Sequence, residues 1–371
     1  MMNKKLLKNL DYKLIVIIGI LICIGCIALW SATKDVSGVS ELNKQIMWAG
    51  IGFVVMVVVT FINYEFYEKI WYVLYGIAIL LLIAVLFTNP INGATSWFNL
   101  GFMQFQPSEV AKLFTIISLS AVITKINKKS DDEINKVKNL LLVGILVMVP
   151  VVLIAMQPDY GTAMVFLVFT VLMLFVSNLS KKYIAGAILA VVIIVPLLYM
   201  FVLPTHAKNR IKVFLDPSLD PLGIGYNVTQ SKLAIGSGKL AGMGLGEGNQ
   251  TQLGYLSPKT TDFIYAVIAE EMGFIVAGPV IVLFMALILR CIYISRSAKD
   301  NFGALVALGI AGMFIFYATE NIGMTMGLLP ITGVPLPFVS YGGSSMLSNM
   351  VAIGILLNIS GQRQKVILMG W

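Results

Sequence analysis

Long apolar runs, separated by short polar segments, follow one another along most of this chain. A helix that crosses the hydrocarbon layer of a membrane needs about 20 apolar residues. Because backbone groups in hydrocarbon must bond to one another, such runs predict helices. We therefore expect an all-α polytopic membrane protein in which residues 1–371 form one integral-membrane domain. The ten predicted spans are residues 14–31, 46–62, 71–87, 108–124, 139–156, 161–177, 183–203, 264–289, 303–328 and 343–360.

The longest polar interruption is residues 204–263, between the seventh and eighth predicted spans, and it is rich in Gly, Ser, Asn and Gln. Long connections are uncommon in compact proteins, and ordered ones are usually functional. We expect the chemistry to lie there. A glycine-rich run at 236–248 either lets the backbone approach another segment closely or forms a flexible linker.

The composition agrees with this interpretation, because 58% of the 371 residues are hydrophobic and only 12% are charged. A soluble domain carries about 25% charged residues. Three cysteines in apolar surroundings and a single histidine, His206, predict neither a disulfide framework nor a His-rich metal site. The net charge of +8 is best explained by the excess of Lys and Arg that cytoplasmic loops carry.

The distribution of those cations predicts the orientation. If the N-terminus is cytoplasmic, 17 Lys and Arg residues lie on the inner side and 8 on the outer side. Six of the 8 lie in the long loop, where a functional explanation is available. Both termini are therefore predicted to be cytoplasmic, with residues 204–263 outside.

Two charges lie at the depth of the membrane in the fourth predicted span. Charges there are costly unless they are paired or hydrated, which makes each a functional candidate. Glu109 and Lys112 are three residues apart and share a helical face. They form either a self-neutralising structural pair or a site where Lys112 meets an anionic group in an outward-facing cavity.

The remaining buried-region acids have both structural and functional interpretations. Asp159 precedes the sixth span and is expected to cap it. Asp262, at the foot of the long loop, is either a helix cap or a catalytic carboxylate that the helix N-terminus keeps ionised. One of Glu270 and Glu271 is expected to line the same cavity as Asp262, whereas Glu320 is expected to make a structural hydrogen bond.

Five stretches of the sequence resemble the SEDS family (shape, elongation, division and sporulation), and within it the elongation branch. They are WFNLGFMQFQPSEVAKL (97–113), QPDYGTA (157–163), FLDPSLDPLGIGYNVTQSKLAIGSGKLAGMGLGEGNQTQLGYL (214–256), TDFIYAVIAEEMGF (261–274) and NIGMTMGLLPITGVPLPFVSYGGSS (321–345). They cover about a third of the chain.

The resemblance implies an inverting-type peptidoglycan glycosyltransferase that polymerises lipid II on the outer face of the cell membrane, partnered by a class B penicillin-binding protein. It implies Asp262 as the catalytic residue and Glu109 and Lys112 as its acidic–basic pair. The expected substrate-binding residues are Glu109, Lys112, Arg210, Lys212, Gln230, Ser231 and Glu270.

The chemistry of lipid II is consistent with a single catalytic carboxylate. Its pyrophosphate is a good leaving group, so one base for the attacking hydroxyl suffices, whereas glycoside hydrolases need two carboxylates. The leaving anion needs positive charge, from Arg210, Lys112 or a divalent cation such as Mg²⁺ or Mn²⁺. The alternative function is a flippase for lipid-linked sugars. A flippase would need polar residues in the cytoplasmic half of the helical bundle as well, and this sequence has few there.

Overall fold

The computed structural model describes residues 2–34, 40–90, 94–101, 104–128, 130, 132–183, 185–186, 189, 193, 196, 198–202 and 204–363. Fifteen α-helices are labelled here: α1 Met2–Asn9, α2 Tyr12–Thr33, α3 Ser40–Phe61, α4 Tyr64–Lys69, α5 Trp71–Val85, α6 Pro107–Asn127, α7 Val137–Ala155, α8 Tyr160–Val176, α9 Thr205–Leu215, α10 Ile224–Gly238, α11 Asn249–Gln252, α12 Ile264–Met272, α13 Phe274–Ser297, α14 Asn301–Thr325 and α15 Gly343–Gly361. Short 3₁₀ turns lie at Glu133–Asn135 and Pro217–Leu219, and a π-helical turn lies at Leu198–Val202.

The predicted all-helical membrane fold is confirmed. Among the described residues, six helices are long and apolar enough to cross a membrane: α2, α3, α7, α13, α14 and α15. Helices α5 and α8 are shorter apolar helices, and α6 coincides with the predicted fourth span. About half of the seventh predicted span, 183–203, lies outside the described residues.

The eighth predicted span, 264–289, was wrong as a single helix, because the chain forms α12 and α13 with a break between them. Gly273 adopts a φ of 70° at the break, a conformation that glycine reaches without strain. The first N–H groups of α13 are satisfied by the long loop, since Phe274 donates to the Lys239 carbonyl at 3.0 Å and Ile275 to the Leu240 carbonyl at 3.1 Å.

Three helices form the centre of the bundle. Helices α14 and α15 are mostly buried inside the protein, and nearly every residue of α6 is buried as well. The outer helices expose large apolar side chains instead, as lipid-facing helices do. The polar side chains on α6, α14 and α15 are therefore enclosed by protein, which is where charged groups in a membrane are tolerated.

The long loop is ordered and largely helical, because it contains α9, α10 and α11. Its glycine-rich run packs closely on α12 and is not a flexible linker. Met243 donates to the Glu270 carbonyl at 2.9 Å, and Gly244 donates to the Glu271 carbonyl at 3.0 Å. A Cβ at Gly238 would lie 1.8 Å from the Ala269 carbonyl oxygen, so only glycine allows this approach.

A small hairpin precedes α6. Its strands, β1 Phe98–Asn99 and β2 Gln104–Phe105, are antiparallel, and the rings of Phe98 and Phe105 stack with centroids 6.4 Å apart. Ser344, near the start of α15, accepts a hydrogen bond from the Gln106 backbone at 3.2 Å and donates to the Gln104 carbonyl at 2.9 Å. The hairpin is thereby fixed against the same end of α15 that faces the long loop.

Candidate active site

Asp262 lies in the turn before α12, and its backbone neighbours are held by the connection between α14 and α15. Tyr341 donates to the Thr260 carbonyl at 2.9 Å, and the Ser340 hydroxyl donates to the Thr261 carbonyl at 2.7 Å. The Asn321 side-chain amide donates to the carbonyl of Asp262 at 3.0 Å. Because the turn is held through backbone carbonyls, the Asp262 carboxylate is not needed to hold it.

The helix-cap interpretation of Asp262 is not supported by the geometry. The N-cap of α12 is Phe263, and no side-chain hydrogen bond caps this helix. The Asp262 side chain is partly exposed and bonds to its neighbour Thr261. A partly exposed carboxylate that caps no helix is available for chemistry.

The electrostatics of Asp262 differ from the sequence expectation. Burial raises the pKa of its carboxyl above the usual range, while the Thr261 hydrogen bond and the Arg210 guanidinium act in the opposite direction. A helix N-terminus was expected to keep it ionised, but desolvation outweighs the stabilising groups. A raised pKa makes the carboxylate a stronger base, which suits proton abstraction near neutral pH.

Arg210 of α9 lies next to this carboxylate. Its Nη1 donates to the carbonyls of Ile331 and Thr332 at 3.3 Å and 3.2 Å. The following residue, Gly333, lies near Asp262, because a Cβ added to this glycine would be 3.5 Å from Oδ2. An arginine has five N–H donors, so this guanidinium keeps donors for an anionic ligand beside Asp262.

A cavity of about 550 Å³ reaches the turn that carries Asp262, because Thr261 is part of its lining. It lies between the start of α3, the β1–β2 hairpin and the beginning of α15. Its lining includes an amine, an amide, three aromatic side chains and the residue before Asp262: Lys44, Gln104, Trp48, Trp97, Tyr341 and Thr261. Aromatic faces combined with polar groups suit a ligand that has both apolar faces and hydroxyl groups.

Glu109 and Lys112 form the ion pair that their spacing predicts, with Lys112 Nζ 2.8 Å from Glu109 Oε1. Both are buried, with exposures of 2% and 0%. Ser348 donates to Glu109 Oε2 at 2.6 Å, and the Tyr317 hydroxyl contacts both charged groups. The ammonium also lies 4.2 Å from the centre of the Tyr317 ring. This burial favours the self-neutralising structural pair over the interpretation in which Lys112 meets a ligand.

Helix α14 connects this pair with Asp262. Tyr317 contacts the pair, and Asn321, four residues later, bonds to the Asp262 backbone. Four residues are about one helical turn, or about 6 Å along the axis. The buried pair and the candidate base are therefore positioned by adjacent turns of one helix.

The other predicted substrate-binding residues lie in different surroundings. Lys212 is exposed and two residues from Arg210 on α9, a spacing that turns the two side chains to different faces. Gln230 is partly exposed on α10. Ser231 is buried and donates to the Thr325 carbonyl at 2.8 Å. A substrate-binding role for these three remains a prediction.

The carboxylate of Glu270 is occupied by the long loop. It accepts from the Gln250 and Thr251 backbones at 2.7 Å and 3.0 Å and from the Thr251 hydroxyl at 2.6 Å. These bonds satisfy N–H groups at the start of α11. The neighbouring Glu271 accepts from Gln252 at 2.6 Å. The geometry thus gives both acids a structural role in holding the loop on α12.

Two further expectations about acidic residues agree with the structure. Asp159 caps α8, because its carboxylate accepts from the Thr162 backbone at 3.1 Å, and it also accepts from Gln106 at 3.0 Å. Glu320 makes the expected hydrogen bond, accepting from the Thr332 hydroxyl at 2.9 Å.

Asn321 was not predicted from the sequence, and neither were the residues that line the cavity. An amide in the apolar sequence of α14, directly after Glu320, was a usable signal for Asn321. The lining of the cavity comes from α3, the hairpin and α15, which are far apart in the chain, so no local pattern marks it.

This chain is similar to known proteins both in sequence and in structure. The model of the FtsW/RodA/SpoVE family, described as cell cycle protein, matches residues 6–365. The peptidoglycan glycosyltransferase MrdB of Escherichia coli K12 is 37% identical over 357 residues, which is 96% of this chain and 95% of that protein. Stage V sporulation protein E of Bacillus subtilis is 33% identical and covers 94% of each chain.

Two solved structures have the same fold along the whole chain. A chain of a peptidoglycan synthase complex that coordinates polymerisation and crosslinking superposes with a TM-score of 0.82 at 28% identity, covering 96% of this chain and 99% of its own. The rod shape determining protein RodA of Thermus thermophilus gives a TM-score of 0.72 at 26% identity, covering 96% and 98%. The family and activity class expected from the sequence agree with these relatives, and the chain belongs to the FtsW/RodA/SpoVE family.

Proposed function

We propose that this chain is a peptidoglycan glycosyltransferase of cell elongation that polymerises lipid II, with Asp262 as its general base. The observation that carries the proposal is a partly exposed carboxylate that feels the charge of the Arg210 guanidinium and follows a residue, Thr261, that lines a cavity of about 550 Å³. The names of the curated relatives support the activity class.

Glycosyl transfer needs one proton transfer and one substitution. Asp262 takes the proton from the acceptor hydroxyl, whose oxygen bonds to the anomeric carbon of the donor sugar. The bond from that carbon to the pyrophosphate oxygen breaks, and the pyrophosphate leaves with the electron pair. Because the pyrophosphate is a stable anion, it needs a cation beside it rather than a general acid.

Arg210 is the better candidate for that cation. It lies beside Asp262 and has unused donors, whereas Lys112 is buried and bonded to Glu109. Guanidinium groups suit phosphate because their N–H donors match its oxygen atoms in pairs.

The cavity supports a sugar-binding role. Trp48, Trp97 and Tyr341 offer aromatic faces to the apolar face of a sugar ring, and Gln104 offers an amide to its hydroxyl groups. Lys44 adds a positive charge to the lining, which suits the phosphate groups of a lipid-linked substrate. The cavity reaches Thr261, so a sugar bound there would have a hydroxyl group close to Asp262.

A divalent cation at the site remains a prediction. Among the described residues no group of three or more His, Cys, Asp or Glu side chains could hold a metal ion. The ion would be held by the substrate pyrophosphate and water, which are ligands that Mg²⁺ often takes, and the Asp262 carboxylate would stay free to act as the base. Such an ion would add positive charge beside the leaving group.

The proposal places both termini in the cytoplasm and residues 204–263 outside, as the charge distribution predicts. Single cysteines at Ser130 and Ser237 should then react with a membrane-impermeant thiol reagent from opposite sides, in a protein whose own three cysteines are replaced. Labelling of both from one side would contradict the orientation. A relative in a peptidoglycan synthase complex that coordinates polymerisation and crosslinking supports a partner that crosslinks, the role expected of the class B penicillin-binding protein.

The decisive experiment compares three purified proteins with lipid II as substrate. Asp262→Asn keeps the size of the side chain but cannot take the proton, and should lower glycan synthesis at least ~100-fold. Asp216→Asn, the same change at an exposed site in the same loop, is the matched control and should leave the rate unchanged. Near-normal synthesis by a folded Asp262→Asn protein would overturn the assignment.

A further inference from the structure

We infer that Asn321 is a positioning residue that fixes the candidate base against one wall of the active site. The inference rests on the proposed function of Asp262. It adds a residue of the membrane-spanning helix α14 to the site.

The hydrogen bonds of Asn321 are unusual for a side chain inside an apolar helix. Its Nδ2 donates both protons to backbone carbonyls, to Asp262 at 3.0 Å and to Val334 at 2.8 Å. The side chain is 0% exposed, and its Oδ1 has no hydrogen-bond partner among the described residues. An unsatisfied buried oxygen is unfavourable, so the amide must be retained for its two donated bonds.

The two bonds join segments that are 72 residues apart in the sequence, the turn of Asp262 and the connection that carries Val334. Between this anchor and Arg210, which binds the carbonyls of Ile331 and Thr332, lies Gly333. Gly333 has a φ of 78° and lies so near the Asp262 carboxylate that a Cβ added to it would be 3.5 Å from Oδ2. Residues 331–334 are therefore clamped at both ends and form a wall beside the carboxylate.

The clamp also sets the distance between Arg210 and the base. If the bond to Val334 is lost, residues 331–334 can move away from Asp262, and Arg210 moves with them because it is bonded to their carbonyls. Arg210 of α9 is the cation that acts on the Asp262 carboxyl, and Glu320 of α14 is held by Thr332 in the same wall. A carboxylate that loses a nearby cation has a higher pKa.

The test uses purified full-length protein, with Asn321→Ala and the nearly isosteric Asn321→Asp as variants. Neither can donate both bonds. We expect kcat to fall about 10- to 100-fold, because small misplacements of a catalytic group are costly, while KM for lipid II changes by less than about 3-fold. The acidic limb of the pH profile of kcat/KM should move to higher pH.

Asn358 on α15 provides a matched control. It is also buried, with 1% exposure, and it donates to the Thr60 carbonyl at 2.7 Å. It lies 15 residues after Gly343, about 22 Å along the helix from the end that faces the active site. Asn358→Asp should lower thermal stability without moving the acidic limb.

The outcomes separate the two proposals. An inactive Asp262→Asn protein together with Asn321 variants of normal kcat and unmoved acidic limb would overturn this inference alone. An active Asp262→Asn protein would overturn the proposed function itself. Asn321 variants that lose activity with an unmoved acidic limb, as a general loss of folded protein would cause, would also contradict the positioning role.

Discussion

The buried pair of Glu109 and Lys112 makes a quantitative prediction about stability. Removing one partner of a buried ion pair leaves an uncompensated charge and costs about 3–5 kcal/mol. Lys112→Met keeps the length of the side chain, and Glu109 keeps Ser348 and Tyr317 as donors. We therefore expect Lys112→Met to lower the free energy of unfolding by an amount near the lower end, about 3 kcal/mol.

The double variant Glu109→Gln/Lys112→Met removes both charges at once. Replacing both partners of a buried pair by neutral groups of similar volume is often neutral in stability, so the double variant should lie within about 2 kcal/mol of the wild-type protein. The measurement is equilibrium unfolding in detergent of the wild-type protein, Glu109→Gln, Lys112→Met and the double variant, analysed as a double-mutant cycle. The coupling between the two substitutions should reach about 2 kcal/mol or more.

A double variant that is as unstable as the sum of the two single variants would refute this reasoning. The activity of the double variant distinguishes the two interpretations of the pair. A stable and active double variant would give the pair a structural role between α6, α14 and α15. A stable but inactive one would show that Lys112 or Glu109 contributes to the reaction itself.

Two further predictions concern the acidic limb and the packing of the long loop. Because burial raises the pKa of Asp262, activity should be lost, as pH falls, at a pH above the usual Asp pKa of about 3.9. Arg210→Gln removes a cation near this carboxylate and should move the acidic limb of the pH profile to still higher pH. A limb that stays in place or moves to lower pH would contradict this. Gly238→Ala should destabilise the folded protein by about 1–3 kcal/mol in thermal unfolding, because its Cβ would meet the Ala269 carbonyl. Gly236→Ala on the same helix is the control: its Cβ would meet nothing within 4 Å, so the substitution should be neutral or stabilising.

The helical membrane fold could be predicted from the sequence because apolar runs long enough to span a bilayer leave the backbone few alternatives. The Glu109–Lys112 pair could be predicted for a similar reason, since residues three apart on one helix are neighbours regardless of the rest of the fold. Asp159 as the cap of α8 also follows from local sequence.

Features that depend on distant segments could not be predicted in this way. The break between α12 and α13 is stabilised by carbonyls of the loop at Lys239 and Leu240, so the apolar run 264–289 alone indicates one continuous helix. The same holds for Glu270, whose carboxylate is occupied by N–H groups of α11.

The environment of Asp262 is the clearest case. Local sequence places an acid before a helix, which is typical of both a cap and a catalytic residue. The choice between them depends on Arg210, Asn321 and the cavity, which come from five separate parts of the chain: α3, the hairpin, α9, α14 and the start of α15. Desolvation and charge act through space, so the pKa of this carboxyl is a property of the folded protein, and the sequence carries it only through the tertiary contacts that it specifies.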